Sequence, residues 1–229
     1  MKRRVFPLYL IICFLTLGIC FSCAGYHVNT NNNPLLGYDI RSVAIPMFVN
    51  RTNFPDVQAL MTKEIVLALN DFSGLKVYGG DNDKADAVLI GVLESKDLHN
   101  ETFQTTGSSF TKDDAGIKSA IGDRSDFYYP VATSYNFTVR FILIKRPTAS
   151  EIELLTSELG NSKKLNPKVV LTETLPVSNS FSRVAKDNLT GTSGGEVNFV
   201  KNKGIFYKSL QDSCQQTAIT FKQVVLNAF

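Results

Sequence analysis

The chain has 229 residues, and its 24 Lys and Arg exceed its 21 Asp and Glu by three, an excess that Lys2, Arg3 and Arg4 alone supply. The remainder is charge-balanced, so it carries no basic footprint for nucleic acid. Apolar content of 44% is ordinary for a globular core, and one domain is the default for this length.

Residues 2–4 precede an uncharged run from Val5 to Phe21 that ends in Cys20-Phe21-Ser22-Cys23. A short basic stretch followed by an apolar one has the shape of a secretory signal. As a helix the run is roughly 25 Å long, at the short edge of what spans a bilayer. Cleavage before Cys23 would remove Cys13 and Cys20 and leave Cys23 and Cys214. Cys23 then has three readings: thioether lipidation, an uncleaved anchor beside it, or a disulfide or free thiol. Lipidation fits best, because Ser22 is the small residue expected before an acylated cysteine. Residues 1–22 are expected as a cleaved signal peptide, 23–38 as acyl anchor and tether, and 39–229 as a single domain. No later apolar run is long enough to cross a membrane.

After the polar Asn29–Pro34 stretch, Ile40–Asn50 reads as a strand with Val43, Ile45, Met47 and Val49 on an aliphatic face. Pro46 points to an edge or a bulge there. Pro55 suits a first helical position and Asp56 the positive end of the helix dipole. Val57, Leu60, Met61, Ile65, Ala68 and Phe72 make the helical stripe, and Gly74 ends it. A short strand at 75–78 completes a right-handed βαβ crossover. Residues 85–98 are apolar on both faces and belong in the middle of the sheet. Residues 130–145 alternate most clearly, with Val131, Thr133, Tyr135, Phe137, Val139, Phe141 and Leu143 on one side. A further strand covers 168–181. The C-terminal segment is helical, with Phe206, Leu210, Cys214, Thr217, Phe221, Val224 and Val225 on one face, so Cys214 reads as a small buried apolar residue. Segments 104–128, 146–167 and 183–203 read as long loops, the second with a short helix near 150–159. The expected architecture is an α+β two-layer sandwich: one mixed β-sheet of about four to five strands with two helices packed on one face.

Chemistry is sparse. His27 and His99 have no partners at ligand spacing, so no metal or cofactor is expected. Asp81-Asn82-Asp83-Lys84-Ala85-Asp86 begins like a calcium loop, but Ala85 replaces a ligand and Asp86 replaces the required Gly; a turn entering a strand is the reading. The Gly191–Gly195 stretch lacks the Lys-Ser/Thr of a phosphate loop. The chain is therefore expected to bind or assemble rather than catalyse.

The order of elements resembles the LPS-assembly lipoprotein family LptE. The resemblance rests on Cys23 followed by Gly25-Tyr26-His27, then Arg41–Phe48, Asn50-Arg51-Thr52 and an amphipathic helix. It continues through Lys84-Ala85-Asp86-Ala87-Val88-Leu89-Ile90-Gly91, Tyr135–Ile144 and the C-terminal helix. It implies a non-enzymatic lipoprotein of the outer membrane, anchored on the periplasmic side, that sits in the lumen of the LptD β-barrel as a plug, helps that barrel assemble, and binds lipopolysaccharide. Ala24, inserted between the cysteine and Gly25, and the three long loops depart from the family. Exposed Lys or Arg would meet lipopolysaccharide phosphates, and Lys145 and Arg146 are the candidates, with a solvated turn as the alternative for that pair. The strand-to-helix opening is similar also to periplasmic lipoproteins of the LpoB and CsgG type, which regulate a cell-wall synthase or form a secretion assembly. A tether of about 15 residues reaches at most about 50 Å, which favours a partner at the membrane. A carbohydrate- or peptide-binding surface lipoprotein is a third reading.

Overall fold

Strand β1 (Ser42–Ile45) leads through helix α1 (Val57–Asn70) to strand β3 (Lys76–Gly79), which pairs with β1 in parallel from Ser42↔Lys76 to Ile45↔Gly79. The computed structural model that shows this crossover describes residues 32–95, 103–110, 128–157, 166–183 and 199–228. The expected signal segment, Cys23, His27, His99 and the centres of the three long loops lie outside the described residues. Asn33–Phe229 form one compact unit.

The single strand expected over 40–50 is two strands. β1 and β2 (Val49–Arg51) are separated by Pro46, Met47 and Phe48, and both lie parallel to β4 (Ala87–Glu94), at Val43↔Ala87 and Val49↔Val92. Pro46 has no N–H to give to a ladder, and it lies in this break, where the β1–β2 segment carries one extra residue against β4: of the two expected places, the bulge and not the edge. Met47 turns out to solvent, 61% exposed, instead of joining the aliphatic face, while Phe48 turns in and is 3% exposed. Helix α1 begins two residues later than Pro55 predicted. Asp56 is its N-cap in left-handed backbone, φ 62°, and makes no side-chain capping bond. Val57, Met61, Ile65 and Phe72 are buried as expected, Leu69 joins them, and Gly74 ends the segment at φ 79°.

β6 (Tyr128–Lys145) is 18 residues long and organises the rest. Along one edge it pairs antiparallel with β4, from Ala87↔Lys145 to Glu94↔Thr138, and then with β5 (Phe103–Phe110), from Phe103↔Tyr135 to Phe110↔Tyr128. Its other edge holds β7 (Val169–Ser182). Seven strands thus fill five positions across one mixed sheet: β3, then β1 with β2, then β4 with β5, then β6, then β7. The expected count of four to five matches the positions and falls short of the strands.

The helices correct the expectation further. α1 and α3 (Phe199–Ala228) cover one face, burying the odd residues of β6 together with Leu89 and Leu93 of β4. α2 (Ala149–Thr156) covers the root of the opposite face, where Ile90, Val92, Ile142 and Ile144 meet Ile152 and Leu155. On the larger face Phe54 stands 5.4 Å from Tyr135 and 5.3 Å from Phe137, ring centre to ring centre. Each such ring, fully buried, contributes about 1.5–3 kcal/mol. The Tyr135 hydroxyl is satisfied by Ser213 Oγ at 2.8 Å and Ser209 Oγ at 3.1 Å on α3. Cys214 is fully buried, as its place in the stripe predicted.

Candidate functional site at the end of strand β6

The chain enters the fold through a 3-10 helix, Pro34–Tyr38. Asn33 holds both ends of it: its Oδ1 accepts from Leu35 N–H at 2.9 Å and its Nδ2 donates to Ile40 O at 2.7 Å. Asp39, in left-handed backbone, returns its N–H to Leu36 O at 2.9 Å. Leu35 is buried beneath the turn, while Leu36 and Tyr38 face outward.

The end of β6 meets this turn. Lys145 Nζ donates to Tyr38 O at 2.8 Å and lies 3.9 Å from the Asp39 carboxylate. Arg146 leaves the strand with φ 43°, a left-handed conformation that a non-glycine residue rarely adopts. Its N–H donates to Asp86 O at 3.0 Å, and its guanidinium is 3.8 Å from the Asp86 carboxylate. Asp86 is itself tied down: Oδ2 accepts from Ser42 Oγ at 2.8 Å, Ser42 N–H at 3.0 Å and Arg41 N–H at 3.1 Å. The Ser42 hydroxyl above all, and then the Arg41 N–H, hold its carboxyl below the usual carboxylate range. Lys168, whose C=O accepts from Lys145 N–H at 2.9 Å, pairs with Glu151 at 2.9 Å. Glu151 closes the capping box of α2. The Thr148 N–H, then Asn166 and Lys168, lower its pKa to about 2.

Two cavities adjoin. One of about 550 Å³ is lined by Tyr38, Lys145, Arg146, Lys168 and Val170. The other, about 630 Å³, is lined by Asp81, Lys84, Asp86, Val88 and Ile152, and Arg146 borders both. Lys145 and Arg146 are therefore brought into one place, as sequence neighbours must be, and Lys168 joins them. Each of the three cations has a carboxylate beside it, so the face is a row of ion pairs rather than a bare basic patch. The side chain of Arg146, 69% exposed, is the one most able to turn toward an incoming anion. Lys168, Tyr38 and Asp86 were not legible as members of this face. The β6–β7 register, which shifts between Leu143 and Ile144, brings Lys168 beside Lys145, the β4–β6 pair Ala87↔Lys145 sets Asp86 beside Arg146, and the Lys145 side chain reaches Tyr38; sequence alone carries none of these registers. Among the described residues no group of three or more His, Cys, Asp and Glu could hold a metal ion. Asp81–Asp86 form a turn entering β4, with Lys84 N–H donating to Asn82 Oδ1 at 2.9 Å and Ala85 N–H to Asn82 O at 3.1 Å.

The residues behind the family resemblance have structural work. Asn50 Nδ2 donates to Phe54 O at 2.6 Å and to Gln58 Oε1 at 3.0 Å, while its Oδ1 accepts from Thr52 N–H at 2.9 Å and Thr52 Oγ1 at 2.7 Å. These bonds build the turn into α1. Arg51 pairs with Glu94 at 3.4 Å and donates to Thr156 O. Glu94 also holds Arg140 at 3.0 Å. The Phe48 ring packs against Gly91, where a Cβ would come within 2.4 Å of it.

No protein-family model and no curated protein matches the chain. Among solved structures it is similar to a putative lipoprotein from Caulobacter crescentus, with 9% identity over 79% of this chain and 89% of that one, at a TM-score of 0.38. Lipoprotein B from Nitrosomonas europaea gives 9% identity over 84% and 86%, at 0.36. The PelC dodecamer from Paraburkholderia phytofirmans gives 13% over 62% and 72%, at 0.32. Similarity at this level carries no functional argument. Among the described residues no helix is long and apolar enough to cross a membrane.

Proposed function

We propose that this chain is a non-enzymatic, lipid-anchored protein of the outer membrane. On this reading it is acylated at Cys23, faces the periplasm, and plugs and helps assemble an LptD-type β-barrel that inserts lipopolysaccharide into the outer leaflet. The observation that carries the reading is the contact of Phe48 with Gly91. It joins, in one place, the two separate sequence stretches that resemble the family, Arg41–Thr52 and Lys84–Gly91. The neutral body and polar loops suit a water-filled, polar lumen. Several acyl chains at Cys23 give stable tethering where one would be marginal. Lys145, Arg146 and Lys168 are the contacts we assign to lipopolysaccharide phosphates, with Arg146 leaving Asp86 to make a shorter, charge-assisted bond.

Metabolic acyl labelling combined with membrane fractionation tests the anchor. The wild-type chain should carry label and separate with the outer membrane, and Cys23→Ala should lose both. Label retained in Cys23→Ala, or an unlabelled wild type, contradicts it. Photo-crosslinking to lipopolysaccharide tests the contacts: Arg146→Glu with Lys168→Glu should lower the yield, and an unchanged yield removes these residues from the assignment.

A further inference from the structure

Strand β7 is 14 residues long and, among the described residues, pairs only with β6. Its register fixes where its backbone points. Arg183 N–H donates to Val131 O at 2.7 Å, and from that pair back to Leu171 the odd residues face β6. The N–H and C=O groups of the even residues Thr172, Thr174 and Ser178, and the C=O of Pro176, therefore point away from the sheet. Pro176 has no N–H to lose there, which is why the strand tolerates it. Asn179 Oδ1 accepts from Ser180 N–H at 2.8 Å and closes the upper end of this open edge.

Exposed edges are ordinarily guarded by charge, especially Lys, by bulges or by shortness. The outward even positions of β7, from Thr172 to Ser182, are all exposed, and none is charged. Pro176 and, on the other face of the strand, the half-buried Glu173 are the guards of this edge. Helix α3 runs beside the edge, and a groove of about 400 Å³ lies between them, lined by Leu175 and Val177 on the strand and by Asp212, Gln216, Thr217 and Thr220 on the helix. A row of outward N–H and C=O groups beside such a groove matches an extended chain: the main chain supplies the hydrogen bonds and alternate side chains enter the groove.

We propose that the β7–α3 groove takes an extended polypeptide segment of a partner protein, which adds to the sheet as a further strand. Its inward side chains would be small and hydrogen-bonding, to suit Gln216, Thr217 and Thr220, with a basic residue over Asp212. A second copy of this chain fits worse. Antiparallel self-pairing brings two Pro176 residues, and so two missing donors, into one ladder, and it sets the Asp212 of one copy on the same face as that of the other. The inference goes beyond the translocon reading and holds whichever protein supplies the strand.

Amide hydrogen exchange on the full-length chain in detergent tests it, with the peptide Val-Thr-Val-Thr-Val-Thr-Val-Lys as probe. Without peptide the Thr174 and Ser178 amides should exchange quickly, and saturating peptide should slow them about tenfold or more. Thr174→Pro should abolish the slowing and leave thermal unfolding nearly unchanged, because its nitrogen points outward. Asp212→Asn should weaken binding by about two- to five-fold, the range of an exposed ion pair. Four results overturn the proposal: amides already slow in the free chain, slowing that follows protein concentration without peptide, no slowing with peptide, or equal slowing in Thr174→Pro.

Discussion

Replacing Gly91 with alanine should destabilise the protein, although alanine is the better strand residue. The added Cβ would stand 2.4 Å from Phe48 Cδ2 and 2.5 Å from both Cε2 and Cγ. Carbon atoms pack at about 3.5–4.0 Å, so the ring must move by about 1 Å. It has nowhere to go. Phe48 is buried, the Phe141 ring sits against it at 5.9 Å, and its N–H is held by Thr62 Oγ1 at 3.1 Å. Overpacking of this kind costs about 1–3 kcal/mol, and relieving a strand glycine returns about 0.5–1 kcal/mol. The net expectation is a loss of about 1–2 kcal/mol, a fall in Tm of about 2–8 °C. Urea unfolding should show a lower midpoint at unchanged slope. In a Phe48→Ala background, which removes Cγ and the ring together, the clash is gone, so Gly91→Ala should cost nothing there or stabilise slightly. An equal cost in both backgrounds, or a neutral Gly91→Ala in the wild type, would refute the contact.

Tyr135→Phe should lose about 1 kcal/mol in the same assay, because it removes the hydroxyl shared with Ser209 and Ser213 while leaving the ring in place; no loss would mean that the hydroxyl contributes nothing net. Glu151 has its pKa lowered from 4.5 to about 2, so its contribution is complete above pH 4.5 and is lost as pH falls through about 2. Asp86, also lowered, acts in the same direction. Acid titration followed by circular dichroism should therefore show a limb in that window, and Glu151→Gln should flatten it. Cys214 is pushed up to about 12 by burial, with the Glu64 carboxylate adding to the effect, so it should resist thiol reagents at pH 8 until denaturant is added. Rapid labelling of the native chain at Cys214 would contradict its burial.

The elements with strong periodicity were legible in the sequence. The alternation over 130–145 gave β6 to within two residues, and the stripe from Phe206 to Val225 gave the packed face of α3. β5 was hidden because Phe103–Phe110 reads Phe-Gln-Thr-Thr-Gly-Ser-Ser-Phe, a largely polar stretch without apolar alternation that lies along β6 with bulges. β2 was hidden inside one apparent strand, since apolar alternation does not report the break that Pro46 and the inward turn of Phe48 create. α2 was placed to within a few residues by its own sequence, and its position on the opposite face depends on Ile90 and Ile142, residues far away in the chain. Of the face at the end of β6, Lys145 and Arg146 were visible as a basic pair. Their carboxylate partners Asp39 and Asp86 were not, because pairing across the sheet depends on register rather than composition.

The central claim is the partnership with an outer-membrane barrel. The most direct measurement is affinity isolation of the tagged, full-length chain from membranes under gentle detergent, with the co-purifying proteins identified and quantified. The account predicts one large outer-membrane β-barrel in near-equal amount. Isolation of a cell-wall synthase, or of the chain with no barrel, would contradict it and favour the LpoB- or CsgG-like reading.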